Sequence, residues 1–161
     1  MLRTGFWLRE IYPEADEAMY VAAICHDIER CFPLREGEVK PPKTGDDSKD
    51  GEYLLWHGKR SAEFTEKLLR GYGFEDEQVM ERIITLITDH SFGGSEERDL
   101  MMDADSISLL ENNILLFIKE GKDKKELEEK TVSEFEKLSS GKAREFAMPF
   151  YEKLLRELRN N

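Results

Sequence analysis

Residues 15–31 read ADEAMYVAAICHDIERC, and the fold turns on this stretch. From Met19 to Cys25 the run MYVAAIC is apolar nearly all round. A helix without a polar side belongs in the middle of a bundle, so other helices have to surround it. The pattern predicts a helix over about 15–31, ending near Cys31, where Phe32 and Pro33 follow. His26 and Asp27 therefore come toward the end of a central helix, where ionisable groups need partners.

The flanking segments supply those other helices. Residues 3–11, RTGFWLREI, read as the tail of a helix that Pro13 breaks. Residues 32–51 hold three of the five prolines and read as a long loop. A helix over about 51–70 has Trp56, Phe64, Leu68 and Leu69 available for packing, and His57 shares a face with Ser61, Phe64 and Leu68. Asp76 can cap the next helix, in which Val79, Ile83, Leu86, Ile87 and His90 keep the three-four repeat. A further helix is expected over about 99–120. Two amphipathic helices follow, the second carrying an aromatic stripe from Phe146 to Leu158 that packs either in the core or against a second copy in a homodimer; the sequence leaves both open. Pro149 either starts a new turn there or kinks the helix. KDKKELEEK, residues 122–130, reads as a solvated helical face with i,i+4 charge pairs. No segment sustains two-residue alternation, so the chain reads as all-α. One domain is expected over 1–161, with a motif core in 1–120 and the C-terminal helices 122–161 packed on it.

Composition narrows the function. Apolar residues make up 39% and charged residues 37% of the 161 residues, with 24 Lys and Arg against 35 Asp and Glu, a net charge of −11. A phosphate-neutralising polymer binder needs the opposite balance, which argues against bulk nucleic acid. A small phosphorylated substrate stays open, because bound divalent metals can supply local positive charge. Cys25 and Cys31 lack zinc-site spacing and read as reduced, largely buried thiols. No apolar stretch approaches the roughly 20 residues of a membrane span and no signal-peptide pattern opens the chain, so no membrane association and a cytoplasmic location are expected.

The three histidines carry the chemistry. His26 is followed by Asp27 in AAICHDIER, His57 lies in LLWHGKRSA, and His90 closes RIITLITDH before MMDADSIS with Asp103 and Asp105. Imidazole and carboxylate suit a divalent transition metal, and two such ions about 3.5 to 4 Å apart need a bridging carboxylate. Asp27 is the natural bridge. Adjacent residues on a helix point roughly 100° apart, so the His-Asp pair reaches one ion easily only at a helix end or a distorted turn.

Over roughly residues 1 to 120 these motifs, AAICHDIER, LLWHGKRSAEF, ITDHS and DADSIS in that order, resemble the HD-domain superfamily of metal-dependent phosphohydrolases. The motif order looks closest to two-metal members such as the bacterial hydrolases of diadenosine tetraphosphate. The resemblance implies an HD-domain-like helical bundle and one or two divalent ions (Fe, Mn, Zn or similar). It further implies that His26, Asp27 and a late aspartate hold one ion and that Asp27, His57 and His90 hold the other. Asp103 and Asp105 both have apolar neighbours and periodicity does not choose between them; the family's Ala-Asp pair aligns with Ala104-Asp105, which selects Asp105. The family has a further histidine upstream, at a position falling at or before Met1, so either the chain as given starts late or this member lacks that ligand and holds its first ion weakly. Arg30, where many relatives have a lysine, and Lys59 are the expected phosphate contacts, with Arg60 behind them. Glu29 reads as a solvated helix-end carboxylate more than a proton shuttle, and Asp89 as a doubtful orienting partner for His90. The implied activity is hydrolysis of a small phosphorylated substrate, a nucleotide above all, by metal-activated water, with Asp27 as the catalytic bridge. Two alternatives share the ligand order: an HD-type di-iron oxygenase, and a degenerate module that binds a nucleotide or partner without turnover.

Overall fold

The computed structural model describes residues 2–44 and 50–160. Every regular element among them is helical, which makes the chain an all-α bundle. α1 (Leu2–Ile11) packs on α2 (Glu17–Cys25), whose N-terminus Asp16 caps by accepting from Met19 N at 3.1 Å. α3 (Gly51–Gly71) packs along α4 (Glu77–Asp89), and Asp76 caps α4 by accepting from Gln78 N and Val79 N, each at 3.1 Å. α5 (Glu96–Ser108) runs through a π-helical turn (Leu109–Asn113) into α6 (Ile114–Lys119) and lies against α1. α7 (Lys124–Glu136) and α8 (Gly141–Arg159) pair with each other and close over α5.

α2 is shorter than its apolar run suggests. It stops at Cys25, His26 is its C-cap, and a 3-10 turn over Ile28–Cys31 follows. Asp27 sits between them at φ −107°, ψ 10°, the sparsely used bridge region where many active-site residues are found. The helix end that a His-Asp pair requires is therefore present, six residues earlier than the sequence pattern places it. The expected long loop is without helix or strand in 32–44; its continuation over 45–49 lies outside the described residues.

Among the described residues one continuous core draws on every helix from α1 to α8, from Trp7 and Leu8 through Ala22, Ile83, Ile87, Met101 and Ile107 to Leu154 and Leu158. Each fully buried Leu or Ile contributes about 1.5–3 kcal/mol. The aromatic stripe of α8 turns inward: the Phe146 and Phe150 rings stand 5.7 and 5.8 Å from Trp7 of α1. Pro149 lies within the continuous α8. Leu68, expected to pack, is instead exposed, because the face of α3 that meets α4 runs through Gly58, Ser61, Ala62 and Thr65. Cys31, expected to be buried, is exposed on the 3-10 turn.

Two helices meet unusually closely beside the histidines. A Cβ on Gly58 would stand 2.2 Å from the carbonyl oxygen of Thr88. Only a glycine lets α3 approach the α4 backbone at that point, one residue after His57 and two before His90.

Candidate metal centre

His26 and His90 are set by the same local device. Each caps the C-terminus of its helix and turns its ring back so that Nδ1 donates to a carbonyl three residues earlier: His26 to Ala23 O at 2.8 Å, His90 to Ile87 O at 2.7 Å. Carbonyls of a last helical turn lack intrahelical partners, so the bond satisfies both sides. A carbonyl only accepts; Nδ1 must carry the hydrogen, and the Nε2 lone pair is left free to ligate. His57, in the middle of α3, reaches the same state differently, its Nδ1 lying 3.0 Å from Glu29 Oε1. Tyr53 lies parallel to the His57 ring, with centroids 6.0 Å apart.

The three rings converge. His90 stands edge-on to both others, with centroids 5.0 Å from His26 and 5.4 Å from His57. His26 Nε2 is 3.0 Å from Asp105 Oδ1 and 3.7 Å from Asp27 Oδ2, while His57 Nε2 is 3.0 Å from Asp27 Oδ1. Asp27 thus presents one oxygen to each histidine. The donor atoms of His26, Asp27 and His90 lie within 4.8 Å of one another, and this group could hold a metal ion. All three rings are 5% exposed or less, and the Nε2 atoms of His26 and His57 are buried without a hydrogen-bond partner. Neighbouring ligands on an ion with bonds of about 2.1 Å stand roughly 3 Å apart when their bonds meet at a right angle. The two 3.0 Å separations are compatible with that spacing, so the residues could hold a metal ion.

Charge in the metal-free site points the same way. Burial works against a charged His26, yet the carboxylates of Asp105 and Asp27 outweigh it and raise the ring to about 9. Burial, reinforced by the charge on His26, lowers His90 to about 4. Asp27 resists burial through His57, His26 and Arg30 and falls to about 2, and Asp105 is likewise lowered, against burial, by His26 above all. Without a metal the site holds a proton on His26 between two carboxylates.

The sequence grouped the donors differently. Asp105, not Asp103, faces the histidines; Thr4 of α1 also approaches it, with Oγ1 3.4 Å from Asp105 Oδ1. Asp103 is fully buried on the opposite side of α5, where it accepts from Ser139 N at 2.7 Å, Ser139 Oγ at 3.0 Å and Ser140 N at 3.0 Å and so ties down the start of α8. The tightest trio unites His26 and Asp27 with His90, whereas the resemblance pairs His90 with His57. Arg30 is half-exposed at the mouth, its guanidinium 2.7 Å from Asp27 Oδ2. Lys59 is exposed and absent from the cleft lining, two positions after His57 and so about 200° round α3 from it. Arg60 is 2% exposed and engaged with Glu38, Glu29 and the carbonyl of Pro33, so it clamps the long loop and is not offered to a ligand. Glu29, expected in solvent, is 5% exposed and orients His57. Asp89 pairs with Arg98 at 2.6 Å, away from the His90 ring.

A cleft of about 150 Å³ opens over these donors. Asp27, His57, His90 and Asp105 line it, together with Lys130 and Glu134 of α7 and Lys137 at the end of that helix. The π-helical turn contributes Leu109 and Asn113, consistent with the tendency of such turns to mark functional sites. Sequence reasoning missed the α7 residues, since nothing in a charged helical face says which of its lysines meets a distant helix. It also missed Gly58, for which a signal existed: a glycine in mid-helix costs about 1 kcal/mol and usually has a packing reason.

No helix among the described residues is long and apolar enough to cross a membrane. No curated protein and no solved structure matches the chain. A family model does match, over residues 2–158 and therefore across all the helices and every donor described above, and the chain belongs to that family, described as a domain of unknown function (DUF4202).

Proposed function

We propose that the chain is a metal-dependent phosphohydrolase, with His26, Asp27, His57, His90 and Asp105 as ligands and a small phosphorylated molecule, a nucleotide above all, as substrate. The observation that carries this reading is the pair of buried Nε2 atoms, each 3.0 Å from a carboxylate oxygen, that converge with His90. The motif order, which resembles that of the HD-domain superfamily, supports it. An iron, manganese or zinc ion held there supplies Lewis acidity for a phosphoryl oxygen and acidifies water to near neutrality. Asp27, with an oxygen toward each of His26 and His57, would be the shared ligand if two ions bound. Arg30 holds its charge at the mouth, where a planar fork suits phosphate oxygens. Glu29 and the two helix-end carbonyls keep the rings in the ligating tautomer.

The test is turnover of a panel of phosphate monoesters, diesters and anhydrides by the metal-loaded protein, with D27N as the control. Metal-dependent release of phosphate that D27N loses by a factor of 10³ or so supports the reading. Retained metal without release contradicts it; oxygen consumption on adding iron then identifies an oxygenase, and nucleotide binding alone identifies a non-catalytic module.

A further inference from the structure

The loop that follows the His-Asp pair is strapped to α3 by one arginine. Arg60 is 2% exposed, and its guanidinium grips the loop at separate points. One terminal nitrogen donates to Glu38 Oε2; the other donates to the carbonyls of Pro33 at 2.5 Å and Phe32 at 3.3 Å. Neighbours one turn along α3 complete the attachment. Phe32 stacks on Phe64 with ring centroids 4.2 Å apart, and Arg35 pairs with Glu63 at 2.7 Å. The strap is therefore residues 32–38, held by Arg60 at its centre.

The remaining nitrogen of Arg60 reaches a different carboxylate. Its Nε, which is buried, stands 3.4 Å from Glu29 Oε2, and the other oxygen of that group, Oε1, lies 3.0 Å from His57 Nδ1. His57 Nε2 is in turn 3.0 Å from Asp27 Oδ1. A chain of contacts thus runs from the strap through Arg60 and Glu29 to the metal centre. Glu29 is 5% exposed, and a buried carboxylate needs a compensating charge and hydrogen bonds to stay where it is. Arg60 supplies that charge from under the strap. Once the strap lifts, water reaches the guanidinium and weakens its hold on Glu29, because a charge pair is far weaker at high dielectric.

We infer that strap and metal centre are linked: closure of residues 32–38 over Arg60 holds Glu29 against His57, and an ion on His57 in turn holds the strap closed. Arg60 is then a positioning residue. The two effects are equal in size, since each event shifts the equilibrium of the other by the same factor. The linkage rests on the metal reading proposed above but not on the reaction, and its first half needs no ion. It is also selective. His26 and His90 are fixed by carbonyls of their own helices, so opening the strap disturbs His57 alone, whereas a general loosening of the fold disturbs all three rings.

Long-range proton–nitrogen correlation spectra of the metal-free protein resolve the two ring nitrogens of each histidine and so read the tautomer. E38Q and R60M move the His57 nitrogens toward the mixed-tautomer position and leave those of His26 and His90 in place. Trypsin supplies the reciprocal measurement on the parent, because cleavage after Arg35 tracks the population of open strap. Saturating zinc slows that cleavage about tenfold, comparable to the loss of zinc affinity in E38Q by chelator competition, while cleavage after Lys122, in the turn before α7, keeps its rate. An unchanged His57, equal movement of all three rings, or cleavage after Arg35 that bound zinc does not slow overturns the linkage. Should the variants not fold, the tryptic rates of the parent decide. If no ion binds, the metal reading fails, and the His57 spectra still decide whether the strap positions the ring.

Discussion

Two sets of residues that line the cleft are placed by different rules. Among the histidines, His26 and His90 owe their orientation to a carbonyl three residues earlier in their own helices, so their chemistry is written into short stretches of chain. In and just after α7, Lys130 and Lys137 gain their place through Glu134 and a serine from a helix 28 residues back. Local devices survive a change of neighbours; tertiary ones do not. The difference also separates Asp103 from Asp105, two residues apart on α5, one spent on holding α8 and the other turned to the histidines.

The comparison breaks most completely at Gly58. G58A places a methyl group against the Thr88 carbonyl, forcing α3 from α4, and is expected to cost about 3 kcal/mol or more in urea unfolding and to abolish metal uptake with it. The aspartates sharpen it next. D103A strands the donors of Ser139 and Ser140 and should cost about 2–3 kcal/mol while the protein that remains folded keeps its metal; D105A should lose metal and leave unfolding of the metal-free chain closer to the parent. A pair of variants behaving alike would erase the distinction. E29A removes the carboxylate that orients His57 and should weaken metal binding about 10–100-fold in competition with a chelator.

A smaller effect concerns pH in the metal-free protein. His26 is held near 9 against 6.5 when unfolded, so the stability it contributes is full below pH 6.5 and lost as pH rises through 9. His90 is held near 4, so its contribution is full above pH 6.5 and lost as pH falls through 4. Melting temperature should peak near pH 6.5, and metal should flatten the alkaline limb because His26 then binds the ion in place of a proton. Least of all, K59A should leave metal binding unchanged, with stability within about 0.5 kcal/mol of the parent.

The helical class was legible because apolar residues recur with helical spacing in nearly every segment and nowhere alternate. The donors were legible because few histidines exist and each closes or centres an apolar helix. What stayed hidden depended on contacts across the fold. Periodicity gave Asp103 and Asp105 equal neighbours, and only α8 shows which is consumed as a cap. Glu29 looked solvated because a helix was expected to continue to Cys31; once α2 stops at Cys25, the 3-10 turn carries Glu29 inward to His57. Arg60 and Lys59 are adjacent, yet the loop over 32–38 covers one and not the other.

The most direct measurement is the metal content of the purified chain, by elemental analysis, for the parent and for H26A, H57A and H90A. The account predicts one to two atoms of a transition metal per chain in the parent and a marked loss in each variant, with folding retained by circular dichroism. A parent that takes up no metal even after reconstitution, or histidine variants that bind it undiminished, would contradict the central claim that these rings converge to hold an ion.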